Sequence, residues 1–295
     1  MAWLRLMRLP GWLTVPGDVL VGFWLAGGFG PLRAEVVAAV LAGLGIYAMG
    51  LLVNDWADRE EDRRLRTDRP LARGEIGMGP FCAVLGVLWI GSLVALGVAG
   101  VPVLVVGVCL MSLAISYSLV LRRWMWLGVV ALGLCRVGLV MMGVLAAGVA
   151  GWTVNLGLAC GTVFGWIVLV SVLARDEVGR VELRPRFHPR GLAAYLLAVG
   201  VAWLVVGEFR SEVSVVLFVV LGLILAEEAW RPAGRYWAVA RERPSIIGQW
   251  LGLLIPMQVW LILPTSGWVT GLGMIVVGAV LWGIRGWLVR WFAAS

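Results

Sequence analysis

The sequence predicts an all-α membrane protein, a polytopic bundle of nine to ten transmembrane helices around a central cavity that opens to the cytoplasmic side. Three observations carry the helical bundle, and the two long polar loops 54–79 and 174–190 suggest the cavity. Of the 295 residues, 61% are hydrophobic and only 14% are charged, and the mean hydropathy is +0.96. Apolar stretches of about eighteen or more residues recur along the chain, close to the ~20 that a helix needs to cross hydrocarbon. All 24 basic residues are arginine, and they gather in short loops beside the apolar stretches. That distribution explains the net charge of +7 by membrane topology and argues against a nucleic-acid partner.

In chain order the spans read as 12–30, 36–53, 80–99, 101–121, 125–149, 153–173, 191–209, 213–229, 246–264 and 268–288. Gly and Pro punctuate most of them, which membrane helices tolerate when neighbours re-satisfy the backbone. With the N-terminus inside, ten spans place 21 of the 24 arginines in the cytoplasm, with Arg33 and Arg210 outside and Arg136 within a span. Both termini are then cytoplasmic. Arg5 and Arg8 before an apolar run resemble a signal peptide, but no A-x-A site follows, so the run reads as a retained first span. The absence of lysine excludes Schiff-base chemistry on that side chain. Cys82, Cys109, Cys135 and Cys160 lie in four different apolar runs with no CxxC pair, and read as small buried hydrophobes. Residues 1–295 read as a single transmembrane domain. The loops 54–79 and 174–190 each begin with acidic groups beside arginine and continue Arg/Pro-rich, which suggests a weak internal duplication of four-helix units; a chance match is the alternative.

The most informative stretch follows the second span: Asn54–Asp62, NDWADREED. If the helix continues through it, Asn54, Asp58 and Asp62 recur every four residues on one face, with Asp55 on the flank. Like charges so placed repel one another, and a cation in front of that face removes the penalty. Hard oxygen ligands at this spacing suit Mg²⁺, which takes a few carboxylates, keeps waters and completes its shell with substrate phosphates. The alternative is a solvated charge run balanced by Arg59, Arg63, Arg64 and Arg66.

The pattern N-D-x-x-D-x-x-x-D after the second span, followed by Arg69-Pro70-Leu71 and Gly74, resembles the first signature of the UbiA superfamily of intramembrane prenyltransferases. Tyr117-Ser118 followed by Arg122-Arg123, and an acidic loop after the sixth span, extend the likeness over most of the first 190 residues. The string Ser171–Val178 is similar to a divergent, EboC-like branch. The resemblance implies a Mg²⁺-dependent enzyme that moves an isoprenoid from an allylic prenyl diphosphate to an acceptor, often aromatic, within the membrane. It implies metal ligands at Asn54, Asp55, Asp58 and Asp62, with Asp58 and Asp62 as the catalytic pair, and a second set at Asp176 and Glu177. Arg69, Arg122 and Arg175 become the candidates for bidentate diphosphate contacts, and Tyr117 and Arg136 the candidates for lining the substrate cavity. Arg180 stands where many members carry a second carboxylate, which puts the second ion in doubt.

Each of these residues also has a plainer reading. Arg122 and Arg123 serve equally as positive-inside anchors, and Tyr117 as a headgroup anchor. Arg136, costly inside a span, calls for a cavity or a partner such as Asp18. His188 reads as a solvated loop residue, Glu227 and Glu228 as local partners of Arg231, and most of the 18 Trp as belts or packing, with Trp56 the one beside the acidic face. Two other functions compete with transfer: a non-catalytic binder or transporter of a phosphorylated isoprenoid lipid, and a structural membrane protein. No obligate protein partner is implied.

Overall fold

The computed structural model describes residues 2–28, 33–65, 69–148, 152–177, 188–239 and 242–294; for Leu65, Asp176, Glu177 and 292–294 the backbone alone is described. The described residues are helical almost throughout, with no strand among them. Two short helices, α1 (Ala2–Leu6) and α2 (Leu9–Trp12), precede α3 (Val15–Leu25), α4 (Ala34–Ala57) and α5 (Arg59–Leu65). Next come α6 (Met78–Ala99), α7 (Val101–Leu119), α8 (Met125–Ala146) and α9 (Val154–Glu177). The chain continues through α10 (Gly191–Val206), α11 (Glu212–Trp230), α12 (Ala233–Ala238), α13 (Arg243–Gly252), α14 (Leu254–Ile262) and α15 (Trp268–Ala294). Among the described residues, 8 helical stretches are long and apolar enough to cross a membrane.

Two expected spans are interrupted, and a proline sits behind each break. The first, 12–30, separates at Leu13–Thr14 into α2 and an α3 of only 11 residues. Pro16 cannot donate to the carbonyl of Trp12, where α2 ends. The span 246–264 divides at Leu253 into α13 and α14, and Pro256 likewise withholds an N–H from Gly252, the last residue of α13.

Helices α3 and α8 cross with their backbones in contact. A Cβ on Gly22 would lie 1.8 Å from the carbonyl oxygen of Val140, and one on Gly143 would lie 1.8 Å from that of Val19. Small residues are what allow such approach in a membrane bundle. Gly143→Val is therefore expected to destabilise the fold by about 3 kcal/mol or more, because rigid backbone rather than a movable side chain must yield. Thermal unfolding in detergent checks this, and an unchanged midpoint refutes the close crossing. Between α6 and α7 the chain reverses at Gly100, whose φ of 107° is left to glycine, with Pro102 starting the next helix.

The outer surface is apolar. Val87, Ile90, Val94 and Val98 of α6 and Val276, Val277 and Val280 of α15 are exposed, as lipid-facing residues should be. The same surface corrects the reading of the cysteines. Cys160 is buried and Cys135 partly so, but Cys82 and Cys109 are exposed, since lipid is as apolar as the core and an apolar run does not reveal its inner face. Inside, Trp166, Trp203, Trp250 and Trp260 are fully buried. Three of these donate their indole N–H to carbonyls, Trp166 to Trp250, Trp250 to Ala229 and Trp260 to Phe218.

Candidate active site

Asp58 caps α4 without ending its hydrogen-bond ladder. The Asp58 N–H donates to the Asn54 carbonyl at 2.9 Å and the Asp62 N–H to the Asp58 carbonyl at 2.8 Å. Asn54, Asp58 and Asp62 consequently keep their four-residue spacing on one face, as the sequence predicts. Asn54 Nδ2 donates to Asp58 Oδ2 at 3.1 Å, which leaves the amide oxygen available as a ligand. Asp62 is buried, and so is Asp55. Trp56, 48% exposed, faces away from this group.

Arginines from four separate segments gather beside the acidic stretch. Arg8 Nη2 and Arg69 Nη1 donate to the same Asp55 oxygen, Oδ1, at 2.8 Å and 3.3 Å. Arg122, in the 3₁₀ turn Leu121–Arg123 after α7, pairs with Asp58 and reaches the Ala57 carbonyl at 3.4 Å. Arg175, in the last turn of α9, lies against Gly128 at the start of α8. A Cβ there would stand 2.1 Å from Arg175 Nη2 and 3.2 Å from Arg122 Cα, so the two arginines are neighbours and only glycine admits them.

Local structure holds these arginines in place. The segment from Arg69 folds into a tight turn in which Arg73 N–H donates to the Arg69 carbonyl and Glu75 N–H to the Pro70 carbonyl. Gly74 closes it at φ 74°. Leu71 and Ile76 of this segment pack with Leu6, Leu52 and Phe81 in a small cluster apart from the main core. Arg5 and Arg73 both pair with Glu75, at 3.3 Å and 3.2 Å, tying α1 to the turn. Arg8, at the start of α2, is the one non-glycine residue described with positive φ, 47°. On the far side, Tyr236 donates its hydroxyl to the Leu173 carbonyl at 2.6 Å and steadies the end of α9.

Not every predicted residue joins the group. Asp176 and Glu177 continue α9 directly beyond Arg175, but their side chains lie outside the described residues, as do Arg180 and Glu182. Tyr117 is half-buried in the last turn of α7. Arg136 is deeper in the bundle, paired with Asp18 at 2.7 Å. His188 accepts from the Arg190 backbone N–H at 3.1 Å in an exposed turn, and Glu227 and Glu228 pair with Arg231 at 2.8 Å and 2.6 Å. Sequence reasoning missed Arg8 as a neighbour of the site, having counted it only among the cytoplasmic arginines. Nothing in its neighbours announces that it folds back onto Asp55, 47 residues on.

Among the described residues no three His, Cys, Asp or Glu side chains gather into a complete metal site. Mg²⁺ does not need one, since it binds through one or two carboxylates plus phosphate oxygens and water. Asn54, Asp58 and Asp62 fit it as hard oxygen donors. Arg8 and Arg69 on Asp55, Arg122 on Asp58 and Arg175 beside Arg122 place guanidiniums suited to a diphosphate next to these oxygen donors. An apolar groove of about 580 Å³ runs between α2, α3, α14 and α15, lined by Leu9, Trp12, Leu20, Trp24, Ile255 and others, with Gln258 as its polar side chain.

The model of the UbiA prenyltransferase family matches residues 18–243. The chain belongs to this family. It is similar to digeranylgeranylglyceryl phosphate synthase of Methanoculleus marisnigri, 28% identical over 185 residues, which cover 61% of this chain and 62% of the relative. The enzyme of the same name from Haloquadratum walsbyi is 31% identical over 110 residues, 37% of this chain and 38% of that one. The chain thus aligns with less than two thirds of either relative's length. The UbiA fold is shared more widely. A UbiA homologue from Archaeoglobus fulgidus bound to GPP and Mg²⁺ superposes with a TM-score of 0.64 at 16% identity, covering 94% of this chain and 100% of that one. The apo UbiA homologue of Aeropyrum pernix K1 gives 0.60 at 16% identity, covering 92% and 97%.

Proposed function

We propose that this chain is a prenyltransferase that moves an isoprenoid from an allylic diphosphate to an acceptor in the membrane. The observation that carries the reading is the gathering of arginines at the Asn54–Asp62 stretch, with Arg8 and Arg69 on Asp55, Arg122 on Asp58 and Arg175 beside Arg122. The mapped homologue bound to GPP and Mg²⁺ supports the same donor and ion. In the reaction the allylic C–O bond breaks and its electron pair leaves with diphosphate. The new bond forms from the same carbon to the acceptor, which releases a proton.

Asn54, Asp58 and Asp62 would hold Mg²⁺, with Asp176 contributing from the end of α9; when bound, the ion acts as a Lewis acid on the leaving group. Arg122 and Arg175 orient the diphosphate by paired N–H donors. Asp55, whose Oδ1 receives both Arg8 and Arg69, positions these two arginines and keeps Oδ2 for the ion. The groove accepts the isoprenoid tail and keeps water from the electrophilic carbon. The names of the curated relatives favour a prenylated glycerol phosphate as acceptor over the aromatic ring common elsewhere in the superfamily.

The test is purified protein in nanodiscs with radiolabelled GPP, Mg²⁺ and geranylgeranylglyceryl phosphate. A labelled, doubly prenylated product is expected; saturable GPP binding with no product from any acceptor supports the binder or transporter instead. Arg69→Gln and Asp55→Ala are each expected to weaken Mg²⁺-dependent GPP binding about tenfold, equivalent to about 1.4 kcal/mol. Equal affinity in Asp55→Ala rules out its positioning role.

A further inference from the structure

We propose that Arg285, together with the hydroxyl of Tyr47, forms an anion subsite inside the bundle that takes the negatively charged group of the acceptor. This rests on the prenyl-transfer reading above and specifies its second substrate. The sequence had assigned Arg285 to the cytoplasmic end of the last span. Instead α15 runs on to Ala294, and Arg285 sits within the bundle, 8% exposed.

Two arginines are held in this interior, and their circumstances differ. Arg136 is matched in charge by Asp18 at 2.7 Å and also donates to Thr14 Oγ1 at 2.9 Å. Arg285 has no carboxylate in ion-pair range among the described residues. Its Nη2 donates to the Gly248 carbonyl, and its buried Nε has no acceptor. The guanidinium is packed against Gly252, where a Cβ would lie 2.1 Å from Nη1. The carbonyl end of α13 offsets part of its charge, but a helix terminus is worth only about half a unit charge. An uncompensated cation within a membrane bundle is expensive, and such residues mark ligand paths.

Tyr47 stands beside Arg136. Its ring centroid is 5.7 Å from Arg136 Cζ, and its phenol is close enough to interact electrostatically with Arg285 as well. The hydroxyl reaches α2 at Gly11, where a Cβ would stand 2.2 Å from it, and it makes no hydrogen bond to protein among the described residues. Glycines at 11 and 252 therefore make room for two polar tips that lack full partners.

The location fits an acceptor. Tyr47 precedes Asn54 by seven residues, two turns down the same face of α4 and about 10.5 Å along its axis. Leu281 and Leu288, on the same face of α15 as Arg285, line the apolar groove. A hydroxyl-bearing acceptor with a phosphate must present its oxygen to the allylic carbon while its own negative charge is kept away from the diphosphate. Arg285 offers a positive charge at that remove.

The test compares geranylgeranylglyceryl phosphate with neutral geranylgeranylglycerol as acceptors, using GPP, Mg²⁺ and protein in nanodiscs. The wild type is expected to favour the phosphate by about 30-fold in kcat/KM. Arg285→Gln, which retains an N–H donor for Gly248, should bring the two acceptors close to parity through the KM of the phosphate, with the KM for GPP unchanged. Arg285→Lys should recover part of the preference, and Tyr47→Phe should lose a few-fold. No preference in the wild type, or an unchanged preference in Arg285→Gln, overturns the proposal. So does an equal loss toward both acceptors with a raised KM for GPP, the signature of a mere helix cap. Should the wild type fail to bind GPP with Mg²⁺, the prenyl-transfer reading falls; equilibrium binding of the acceptor phosphate to wild type and Arg285→Gln then still decides the subsite.

Discussion

Asp58→Ala and Asp62→Ala are each expected to lower Mg²⁺-dependent transfer from GPP by about 10²- to 10³-fold, the range seen when one preorganised electrostatic contact to a leaving group is lost. Asp58 accepts from Asn54 at 3.1 Å and pairs with Arg122, so its loss removes a proposed ligand and also releases two neighbours it orients. Asp62 is 7% exposed and sits one turn on along the same face. The fold should survive both changes, because neither side chain belongs to the apolar core. Relief of repulsion among the carboxylates partly offsets any pairing lost. A ligand-induced shift in melting temperature separates chemistry from folding. GPP with Mg²⁺ should raise the midpoint of the wild type, whereas either variant should melt near the unliganded wild type and gain little from the additions. Transfer within threefold of wild type in both variants would refute the assignment of Asp58 and Asp62, whatever the family.

The helical architecture was legible because lipid imposes a length on every span and its signature repeats along the chain. The NDWADREED stretch was legible for a related reason: charge of one sign at four-residue spacing is costly unless something opposes it, and Arg122 and the other guanidiniums now account for that opposition. The breaks at Leu13–Thr14 and Leu253 were harder to see. Proline is common in membrane helices, and only packing tells whether Pro16 or Pro256 kinks a helix or divides it. The contacts of Arg8 and Arg285 were not legible for one reason. Positive-inside counting assigns an arginine near a span's end to water, and it carries no information about whether that arginine folds back onto Asp55 or inward against Gly252. Tyr47 left a trace that could have been read, since it lies on the same helical stripe as Asn54 and Asp58.

Arg136 did find the partner that its cost in a span demands, and removing either member should be among the most damaging single changes outside the site. Asp18 is fully buried between α3 and α8 and receives Arg136 Nη1 at 2.7 Å and Gln258 Nε2 at 2.7 Å, one on each carboxylate oxygen. Arg136 also donates to Thr14 Oγ1 at 2.9 Å, and Gln258 to the Thr14 carbonyl at 2.7 Å. Thr14 stands at the break before α3, so this network also ties the start of α3 to α8 and α14. Arg136→Leu or Asp18→Leu alone strands a buried charge and is expected to cost about 3–5 kcal/mol. The double variant removes both charges and should be less destabilised than either single, since two leucines need no desolvated partner. Added salt should change none of these values by much, because a pair shielded from solvent is poorly screened. Reversible unfolding in mixed micelles of increasing SDS content measures all three. Additive losses in the double variant would show that the pair is not coupled. The consequence for function follows from Gln258, which carries the network across to α14 and the wall of the apolar groove. In Arg136→Leu the protein that remains folded should therefore turn over GPP more slowly, with the groove wall no longer anchored to α3.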